Sequence, residues 1–409
     1  MTSYSSVLTV RPFRFLWFAQ IFSQLAINTL LFVLALRIYQ DTRSNAAVSG
    51  LFLAYGIPSV LFGMVAGTAV DHLDKRRMLM YCDILRGALV LLLMFISRNI
   101  LLIYFVTFIN AVITQFYVPS EAPLIPKLIQ GELLVPANSL FSFTYYSSLA
   151  VGTVLSGPLL LVLGPQWIFL FVSVLFFIAV FFESRLPSQA AGVFGFTSIF
   201  RYQLVHVVSR TIEELFEGIR YVRQIPALLD SLLLLTGTQI IFAMLGTLGP
   251  GFADKVLHID VRDASLFIVG PAVLGIIAGA LWVGTFGYKR KPGRLIKTGV
   301  TGAGIILLLI SLTVRIHVAL SLSMMLFFCL GVANSLLDSP ANSILQEEAK
   351  GSMRGRVYGM LTAAVGGVGI LPVIIGGVLA DVIGVWRVIF LLGLIILTYG
   401  IWRMKYNKE

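Results

Sequence analysis

The sequence predicts an all-α integral membrane protein with twelve transmembrane helices, built as two pseudo-symmetric bundles of six. Three observations support this prediction: the composition, a series of long apolar runs, and the uneven distribution of basic residues. Hydrophobic residues make up 58% of the 409 residues and charged residues only 12%, and the mean hydropathy is +0.93. Soluble domains are usually about a quarter charged, so we expect the lipid bilayer to be the solvent for much of this chain.

A membrane-spanning helix needs about 20 predominantly apolar residues, and twelve runs approach or exceed that length. They cover residues 13–39, 47–70, 78–97, 100–122, 137–163, 166–184, 227–252, 264–287, 295–314, 318–342, 357–381 and 385–402. The connections are short except for residues 186–226. This connection separates an N-terminal bundle at residues 1–185 from a C-terminal bundle at residues 227–409. Within it, apolar residues recur every three or four positions from Leu204 to Val222, which is typical of an amphipathic helix on the membrane surface or of a solvated linker helix.

Basic residues predict the orientation of the chain. If the N-terminus is cytoplasmic, 22 of the 30 Lys and Arg residues lie on the cytoplasmic side and 7 on the opposite side. Cytoplasmic loops carry an excess of Lys and Arg, so we predict a multi-pass protein of the plasma (inner) membrane with both termini in the cytoplasm. Because the basic residues are dispersed among the connections and form no single patch, nucleic acid is not expected as a partner.

The reactive residue types are scattered. Cys82 and Cys329 are far apart, and the four histidines form no ligand-like spacing, so neither a disulfide framework nor a metal site is predicted. No phosphate-binding loop of the G-x-x-x-x-G-K-[ST] type is present, so the chain is not expected to hydrolyse nucleotide. We therefore expect no cofactor, no catalytic residues, no enzyme activity, and a monomer whose partners are a small-molecule substrate, a coupling ion and the bilayer.

The two halves resemble each other locally. Residues 119–124 at the end of the fourth span correspond to residues 340–345 at the end of the tenth, and the basic connections near Lys75 and Lys289 occupy equivalent places. Duplicated transporters show this kind of weak internal similarity. The sequence therefore predicts a duplication of a six-helix unit.

The connection between the second and third spans carries the most specific motif in the chain. Residues 67–77 read Gly-Thr-Ala-Val-Asp-His-Leu-Asp-Lys-Arg-Arg. In spacing and location this run resembles the loop signature G-x-x-x-D-[RK]-x-G-[RK]-[RK] of the major facilitator superfamily. It departs from the pattern at His72, where a base is usual, and at Asp74, where glycine is usual. The resemblance implies a transporter with the fold of that superfamily.

This loop has a physical rationale as a gate. A glycine lets neighbouring helices approach closely, and Asp71 can pair with the basic residues or cap a helix N-terminus. Such contacts would hold one side closed and break when the transporter opens. The alternative is that the bases only fix topology. The predicted gating residues are Gly67, Asp71, Lys75, Arg76, Arg77 and, through a pairing with the arginines, Glu121.

Other segments resemble one branch of the superfamily, the enterobactin- and macrolide-exporter-like group. They are residues 39–44 after the first span, residues 119–123 leading to 137–140, and residues 354–357 before the eleventh span. The resemblance implies an exporter, and its expected mechanism is alternating access, in which two halves rock around a central site.

Charged residues inside membrane spans are costly and are functional candidates by default. Asp83 and Arg86 are three residues apart in the third span and can pair on one helix face. Asp338 lies in a stripe with Asn334 and Asn342 in the tenth span, a face suited to an aqueous cavity. Asp83, Arg86 and Asp338 are therefore candidates for proton coupling, and a buried, self-neutralised structural pair is the alternative for the first two.

The resemblance also implies that the first, fourth, seventh and tenth spans line the central cavity. These spans carry uncharged polar residues, and the fifth adds an aromatic one, so the cavity is expected to take a moderately apolar solute. Interhelical hydrogen bonding is the alternative explanation for each residue alone. The candidate cavity residues are Gln24, Asn28, Asn110, Thr114, Tyr117, Tyr145, Gln239 and Asn334.

Together these features predict a secondary active transporter, specifically a proton-coupled exporter of a drug-, macrolide- or siderophore-like molecule. An uncoupled facilitator or a lysolipid flippase is the alternative, since no lone carboxylate lies at mid-membrane. A non-transporting sensor, a scaffold or a membrane enzyme would reuse the fold, but the sequence shows neither a reactive cluster for an enzyme nor a reason for a scaffold to carry a polar cavity.

Overall fold

A computed structural model describes residues 3–71, 73–96, 99–129, 131–187, 219–313, 320–349 and 369–406, together with residues 217, 357, 360, 361 and 364. Nearly all of these residues are helical, and none of the described residues forms a strand. The all-α prediction is therefore confirmed. The predicted amphipathic helix at residues 204–222 lies almost entirely outside the described residues, and the domain boundaries at 185 and 226 stay predictions.

Thirteen helices carry the fold within the described ranges. They are α1 (Ser3–Thr9), α2 (Arg11–Thr42), α3 (Asn45–Asp71), α4 (Lys75–Ile96), α5 (Ile100–Glu121), α6 (Leu124–Leu128), α7 (Leu134–Glu183), α8 (Pro226–Phe252), α9 (Gly270–Thr285), α10 (Pro292–Leu312), α11 (Leu320–Glu348), α12 (Ile370–Ile383) and α13 (Val385–Tyr406). Short π and 3₁₀ turns between residues 253 and 269 join α8 to α9.

Helix α7 contains two predicted spans. Its 50 residues are interrupted at Gly164, which has a left-handed φ of 79°, a conformation that glycine adopts without steric cost. Pro165 follows directly and suits the first turn of the next helical segment, since it lacks the N–H that would be unpaired there. The predicted boundary between residues 163 and 166 is thus confirmed, and it consists of a single non-helical residue.

The helices match the predicted spans. Ten helical segments of the described chain are long and apolar enough to cross a membrane, and α12 is a shorter apolar helix. One of the ten is α7, which contains the fifth and sixth predicted spans, and α12 is the described part of the eleventh. Each of the twelve predicted spans therefore contains a helix, and the multi-pass prediction is confirmed.

Two compact units divide the chain. Unit 1 comprises Met1–Arg37 and Leu53–Ile212, and unit 2 comprises Ile38–Phe52 and Glu213–Glu409. Each has a separate apolar core. In unit 1, Phe13, Leu79 and Phe141 belong to a buried cluster, and in unit 2 a corresponding cluster includes Leu228 and Leu337.

Unit 2 also depends on close helix packing. A Cβ atom at Gly275 of α9 would collide with the carbonyl of Phe328 in α11, and one at Gly331 of α11 would collide with the carbonyl of Ala272 in α9. Small residues let membrane helices approach until their backbones touch. These reciprocal glycines explain why α9 and α11 pack backbone to backbone.

Candidate functional site

The turn before α4 is held by one of the two departures from the family signature. Asp74 is 7% exposed, and its Oδ1 accepts hydrogen bonds from the backbone N–H groups of Arg76 (3.0 Å) and Arg77 (3.3 Å). A side-chain oxygen in this position caps the first turn of a helix. The Asp74 carboxylate therefore stabilises the start of α4, a role that glycine in the usual pattern could not fill.

The remaining signature residues have different surroundings. Arg76 donates from Nη2 to the carbonyl of Ser184 at the end of α7 (2.5 Å), so it ties the turn to the sixth predicted span. Lys75 is 7% exposed, whereas Arg77 is exposed and lies 3.8 Å from Asp74. Gly67 and Asp71 belong to the last turns of α3, but the surroundings of these two residues lie outside the part of the chain that the structure describes, so their gating role stays a prediction.

The predicted Asp83–Arg86 pair is confirmed. Arg86 Nη1 donates to Asp83 Oδ1 at 2.8 Å, and Asp83 and Arg86 are 0% and 2% exposed. Ser23 of α2 joins them: its hydroxyl donates to Asp83 Oδ1 (3.1 Å) and lies 3.2 Å from Arg86 Nη1. The pair is thus anchored to a second helix of unit 1.

Aromatic rings enclose the guanidinium of Arg86. Its Cζ lies 4.5 Å from the ring centroid of Tyr117 and 5.9 Å from that of Phe176, distances at which a cation is attracted to a ring face. Tyr117 is 1% exposed. This placement differs from the predicted cavity role of Tyr117, because the ring faces Arg86 and has almost no free surface.

Two further carboxylates adjoin the pair. Glu121 at the end of α5 is 8% exposed and interacts with Asp83, Arg86 and Tyr117. None of the ion pairs within the described ranges joins it to Arg76 or Arg77, so its predicted pairing with these bases does not occur in this structure. Glu183, the last residue of α7, is 0% exposed.

Glu183 was missed by the sequence analysis. The carboxylate interacts electrostatically with Asp83, Arg86 and Glu121, which lie in two other helices. The available signal was an acid directly after Phe181 and Phe182 in an apolar run. We refer to this group as the Arg86 cluster. It consists of Ser23, Asp83, Arg86, Tyr117, Glu121 and Glu183.

Asp338 belongs to unit 2 and has different neighbours. The hydroxyl of Thr238 in α8 donates to its Oδ1 at 3.1 Å. Thr238 and Asn334 also line a small cavity of about 40 Å³ whose other walls are apolar. That volume is too small for a drug-sized solute, and its mostly apolar lining offers few polar partners to a water molecule.

The other predicted cavity residues are divided between the units. In unit 1, Asn28 donates to the Gln24 carbonyl (2.8 Å) and Thr114 to the Asn110 carbonyl (2.9 Å), so these two side chains bond within their own helices. Asn110 is 1% exposed, and neither atom of its amide has a hydrogen-bond partner among the described residues. Tyr145 of unit 1 is 46% exposed. Gln239 of unit 2 is exposed.

A second ionic group lies where α2 ends and α3 begins, within unit 2. Arg43 follows α2 with a left-handed φ of 55°, which is unusual for a residue with a Cβ atom. Its Nη1 lies 2.8 Å from Asp254 Oδ1, and the hydroxyl of Tyr39 donates to Asp254 Oδ2 at 3.1 Å. These contacts connect the α2–α3 junction to the end of α8.

Asp381 of α12 caps α3 from outside that helix. Its Oδ1 accepts from the backbone N–H of Asn45 (2.8 Å) and from the Asn45 amide (2.9 Å). Its Oδ2 accepts from the backbone N–H of Ala46 (3.0 Å) and from the hydroxyl of Ser44 (2.6 Å). We call Tyr39, Arg43, Ser44, Asn45, Asp254 and Asp381 the junction cluster. The sequence analysis predicted none of its contacts.

Comparison with known proteins gives relatives at low identity over most of the chain. The chain is 23% identical to macrolide efflux protein A of Streptococcus pyogenes over 412 residues, which covers 95% of this chain and 94% of that protein. It is 24% identical to the putative bacilysin exporter BacE of Bacillus subtilis over 328 residues, covering 78% of this chain and 76% of that protein.

Solved structures support the same fold. The crystal structure of the nucleoside transporter NupG matches with a TM-score of 0.73 at 13% identity, and the match covers 97% of this chain and 99% of NupG. The family model described as Major Facilitator Superfamily matches residues 16–373, which include the signature loop and the Arg86 cluster. This chain therefore belongs to the major facilitator superfamily and is a membrane transporter of small molecules, not an enzyme.

Proposed function

We propose that this transporter is an exporter that moves a moderately apolar small molecule out of the cell in exchange for protons. It works as a monomer in the plasma membrane with both termini in the cytoplasm. The two halves alternate between states open to either side. The excess of basic residues in the connections assigned to the cytoplasm supports this orientation.

The observation that carries the coupling proposal is the buried Asp83–Arg86 pair. Both residues are almost fully buried in a helix that is apolar enough to span the bilayer. Ionisable residues in such positions mark ion pathways and proton relays. A proton bound or released by a carboxylate beside this pair would change the charge balance around Arg86, so that protonation and a change of packing are physically linked.

The proposed solute class rests on the uncharged polar residues and on the relatives. The amide of Asn110 has no partner among the described residues; it is 1% exposed in this structure and becomes available to a solute when the helices around it separate. Tyr145 offers exposed aromatic surface. Such groups can bind a solute that is largely apolar and has a few hydrogen-bonding atoms. Macrolide efflux protein A and the putative bacilysin exporter BacE are named for export of a macrolide and of bacilysin, and we carry export over as part of the proposal.

Alternating access requires contacts that form in one state and break in another. We propose that the junction cluster is such a contact on one side of the membrane. Asp381 caps α3 through four hydrogen bonds, and hydrogen bonds of this kind can break and form again. We propose Asp71 and the basic turn for the cytoplasmic side, on the basis of the sequence signature.

One observation favours a second candidate, an uncoupled facilitator or lysolipid flippase. Asp83 is neutralised by Arg86 at 2.8 Å, and a permanently neutral pair would carry no proton. The two candidates differ in a measurable way, since only the coupled exporter needs a pH gradient.

The first experiment is a toxicity panel of macrolides, dyes, siderophores and lipophilic cations. It compares cells that express the wild type, the Asp71→Asn variant or an empty vector, at matched amounts of protein in the membrane. We expect the wild type alone to protect against at least one compound. Full protection by Asp71→Asn would contradict the gate, and protection by neither protein would contradict export of these classes.

A second experiment tests the coupling with a protective compound. Inverted membrane vesicles should accumulate it when their interior is acidic, and accumulation should stop when an ionophore collapses the pH gradient. Accumulation that continues unchanged would favour the uncoupled facilitator.

A further inference from the structure

The Arg86 cluster contains more negative than positive groups. Asp83, Glu121 and Glu183 surround a single guanidinium, and none of the four residues is more than 8% exposed. If all three carboxylates were ionised, two negative charges would be buried without a counterion, which is strongly unfavourable. The cluster therefore favours states in which carboxylates carry protons.

Hydrogen bonds identify the carboxylate that stays ionised. Asp83 Oδ1 accepts from both Arg86 Nη1 and the Ser23 hydroxyl, and donors of this kind stabilise the charged form. Neither oxygen of Glu183 accepts from an N–H or O–H group among the described residues. The adjacent bases are directed elsewhere, because Arg76 donates to the Ser184 carbonyl and the guanidinium of Arg185 lies over the Phe181 ring.

A proton on Glu183 would satisfy two unpaired atoms at once. Asp83 Oδ2 is buried and has no donor among the described residues, and the Asp83 and Glu183 side chains are close enough to share a hydrogen bond. Two carboxyl groups can hydrogen bond to each other only if one is protonated. The geometry thus fits a neutral Glu183 that donates to an ionised Asp83.

The packing of α4 against α7 maintains this arrangement. The hydroxyl of Ser173 donates to the Gly87 carbonyl at 2.8 Å. A Cβ atom on Gly87 would lie 3.3 Å from Phe176 Cβ and 3.2 Å from the Phe177 ring, so the helices are in close contact one turn beyond Asp83. The two acids are therefore brought together by backbone packing and not by flexible loops.

We infer that Glu183 is the proton carrier of this transporter, an inference that rests on the proposed proton-coupled function. In this state Glu183 holds the proton against Asp83. When the cluster opens, the O–H bond of Glu183 breaks, the proton passes to water, and the ionised carboxylate is left facing Arg86. The other titratable groups facing Glu183 are Glu121, Tyr117 and Cys82.

The inference is tested without any substrate by infrared spectroscopy of the full chain in liposomes. Protonated carboxyl groups give a carbonyl band that ionised carboxylates lack. At neutral pH we expect Glu183→Gln to lose one protonated carboxyl per protein relative to the wild type. The exposed Glu347 of α11 provides the matched control, since Glu347→Gln should leave the band unchanged. An unchanged band in Glu183→Gln would overturn the inference.

A transport assay separates a carrier from a structural residue. In liposomes, with radiolabelled erythromycin as the probe, Glu183→Gln should retain downhill exchange but lose accumulation driven by a pH gradient. Because Gln resembles the protonated form of Glu in shape, we expect the variant to fold, and Glu183→Asp should restore part of the accumulation. Wild-type accumulation that survives in Glu183→Gln would also overturn the inference.

A failure of the proposed macrolide export and a failure of the inference about Glu183 give different results. If the wild type does not transport erythromycin under either condition, the proposed export of macrolides fails for this probe. The infrared difference between wild type and Glu183→Gln still decides whether Glu183 holds a proton.

Discussion

The Arg86 cluster and the junction cluster use the same residue types under opposite conditions. In the first, three carboxylates share one guanidinium in a region with almost no solvent contact, and atoms of Asp83 and Glu183 have no donor among the described residues. In the second, Asp381 receives four hydrogen bonds, and Arg43 is 61% exposed.

This difference separates two kinds of task. A buried carboxylate with too few hydrogen-bond donors is ionised or protonated depending on its surroundings, which suits a group that binds and releases protons. A full set of donors at the surface keeps a carboxylate charged, which suits a contact that holds a helix end in place. Substitutions in the two clusters test this contrast.

Asp83→Asn should have the largest effect, because it leaves the Arg86 charge buried without its main counterion. Breaking a buried ion pair costs about 3–5 kcal/mol, and we expect the lower end of this range because Glu183 can ionise in compensation. The free energy of unfolding in detergent is the measurement. The double variant Asp83→Asn/Arg86→Met should recover most of the loss. If Asp83→Asn were as stable as the wild type, the Arg86 cluster would not depend on its buried ion pair.

Asp381→Asn should have an intermediate effect. Both oxygens of the Asp381 carboxylate accept hydrogen bonds, whereas the side-chain amide of Asn has only one oxygen that can accept. Loss of a helix cap costs about 0.5–2 kcal/mol. In a background without Cys82 and Cys329, we expect a cysteine at Ala46 to react several-fold faster with a membrane-impermeant maleimide. An unchanged rate would show that Asp381 does not hold the α2–α3 junction.

Arg43 allows a matched pair of variants. Arg43→Gly removes an exposed ion pair, worth about 0–1 kcal/mol, but relieves a left-handed backbone. Arg43→Ala removes the same pair and keeps the strain, so we expect it to be less stable than the glycine variant by roughly 1 kcal/mol. Thermal unfolding of both variants is the measurement. Equal stabilities would contradict the backbone argument.

The smallest effect concerns pH and the connection between α8 and α9. Arg262 hydrogen bonds hold the pKa of Asp260 below its usual value. A lowered pKa gives stabilisation that is complete above the unfolded-state pKa of about 3.9 and is lost as the pH falls through the folded-state value. Wild type and Asp260→Asn should therefore differ at pH 6 by a small constant amount, and the difference should shrink only below about pH 4. A difference that changes between pH 8 and 6 would contradict this origin.

The hydropathy and the length of the apolar runs were sufficient to predict the membrane-spanning helices. The boundary between the spans at residues 137–163 and 166–184 was also predicted, and a glycine followed by a proline occupies it. The Asp83–Arg86 pair could also be predicted from the sequence, since residues three positions apart are neighbours on one face of a helix. Both features depend only on neighbours along the chain.

The rest of the site depends on tertiary contacts. Glu121 lies near Arg76 by topology alone, yet the packing of α4, α5 and α7 directs it to Arg86. Asp381 and Asn45 are separated by 336 positions, and a single sequence contains no signal that pairs them. The signature alone shows Asp74 only as a departure from the usual glycine, whereas its position at the start of α4 makes it a cap.

The break at Gly164 also has a mechanical consequence. One residue with a φ of 79° leaves no slack between the two segments of α7, and the Pro165 carbonyl is further bound by Arg37 of α2 (2.5 Å). We expect an axial movement of one segment to move the other, since no intervening loop can take up the change in distance. Glu183 lies at the far end of the second segment, so we expect a displacement of the first segment along its axis to move the second segment and the carboxylate that it carries.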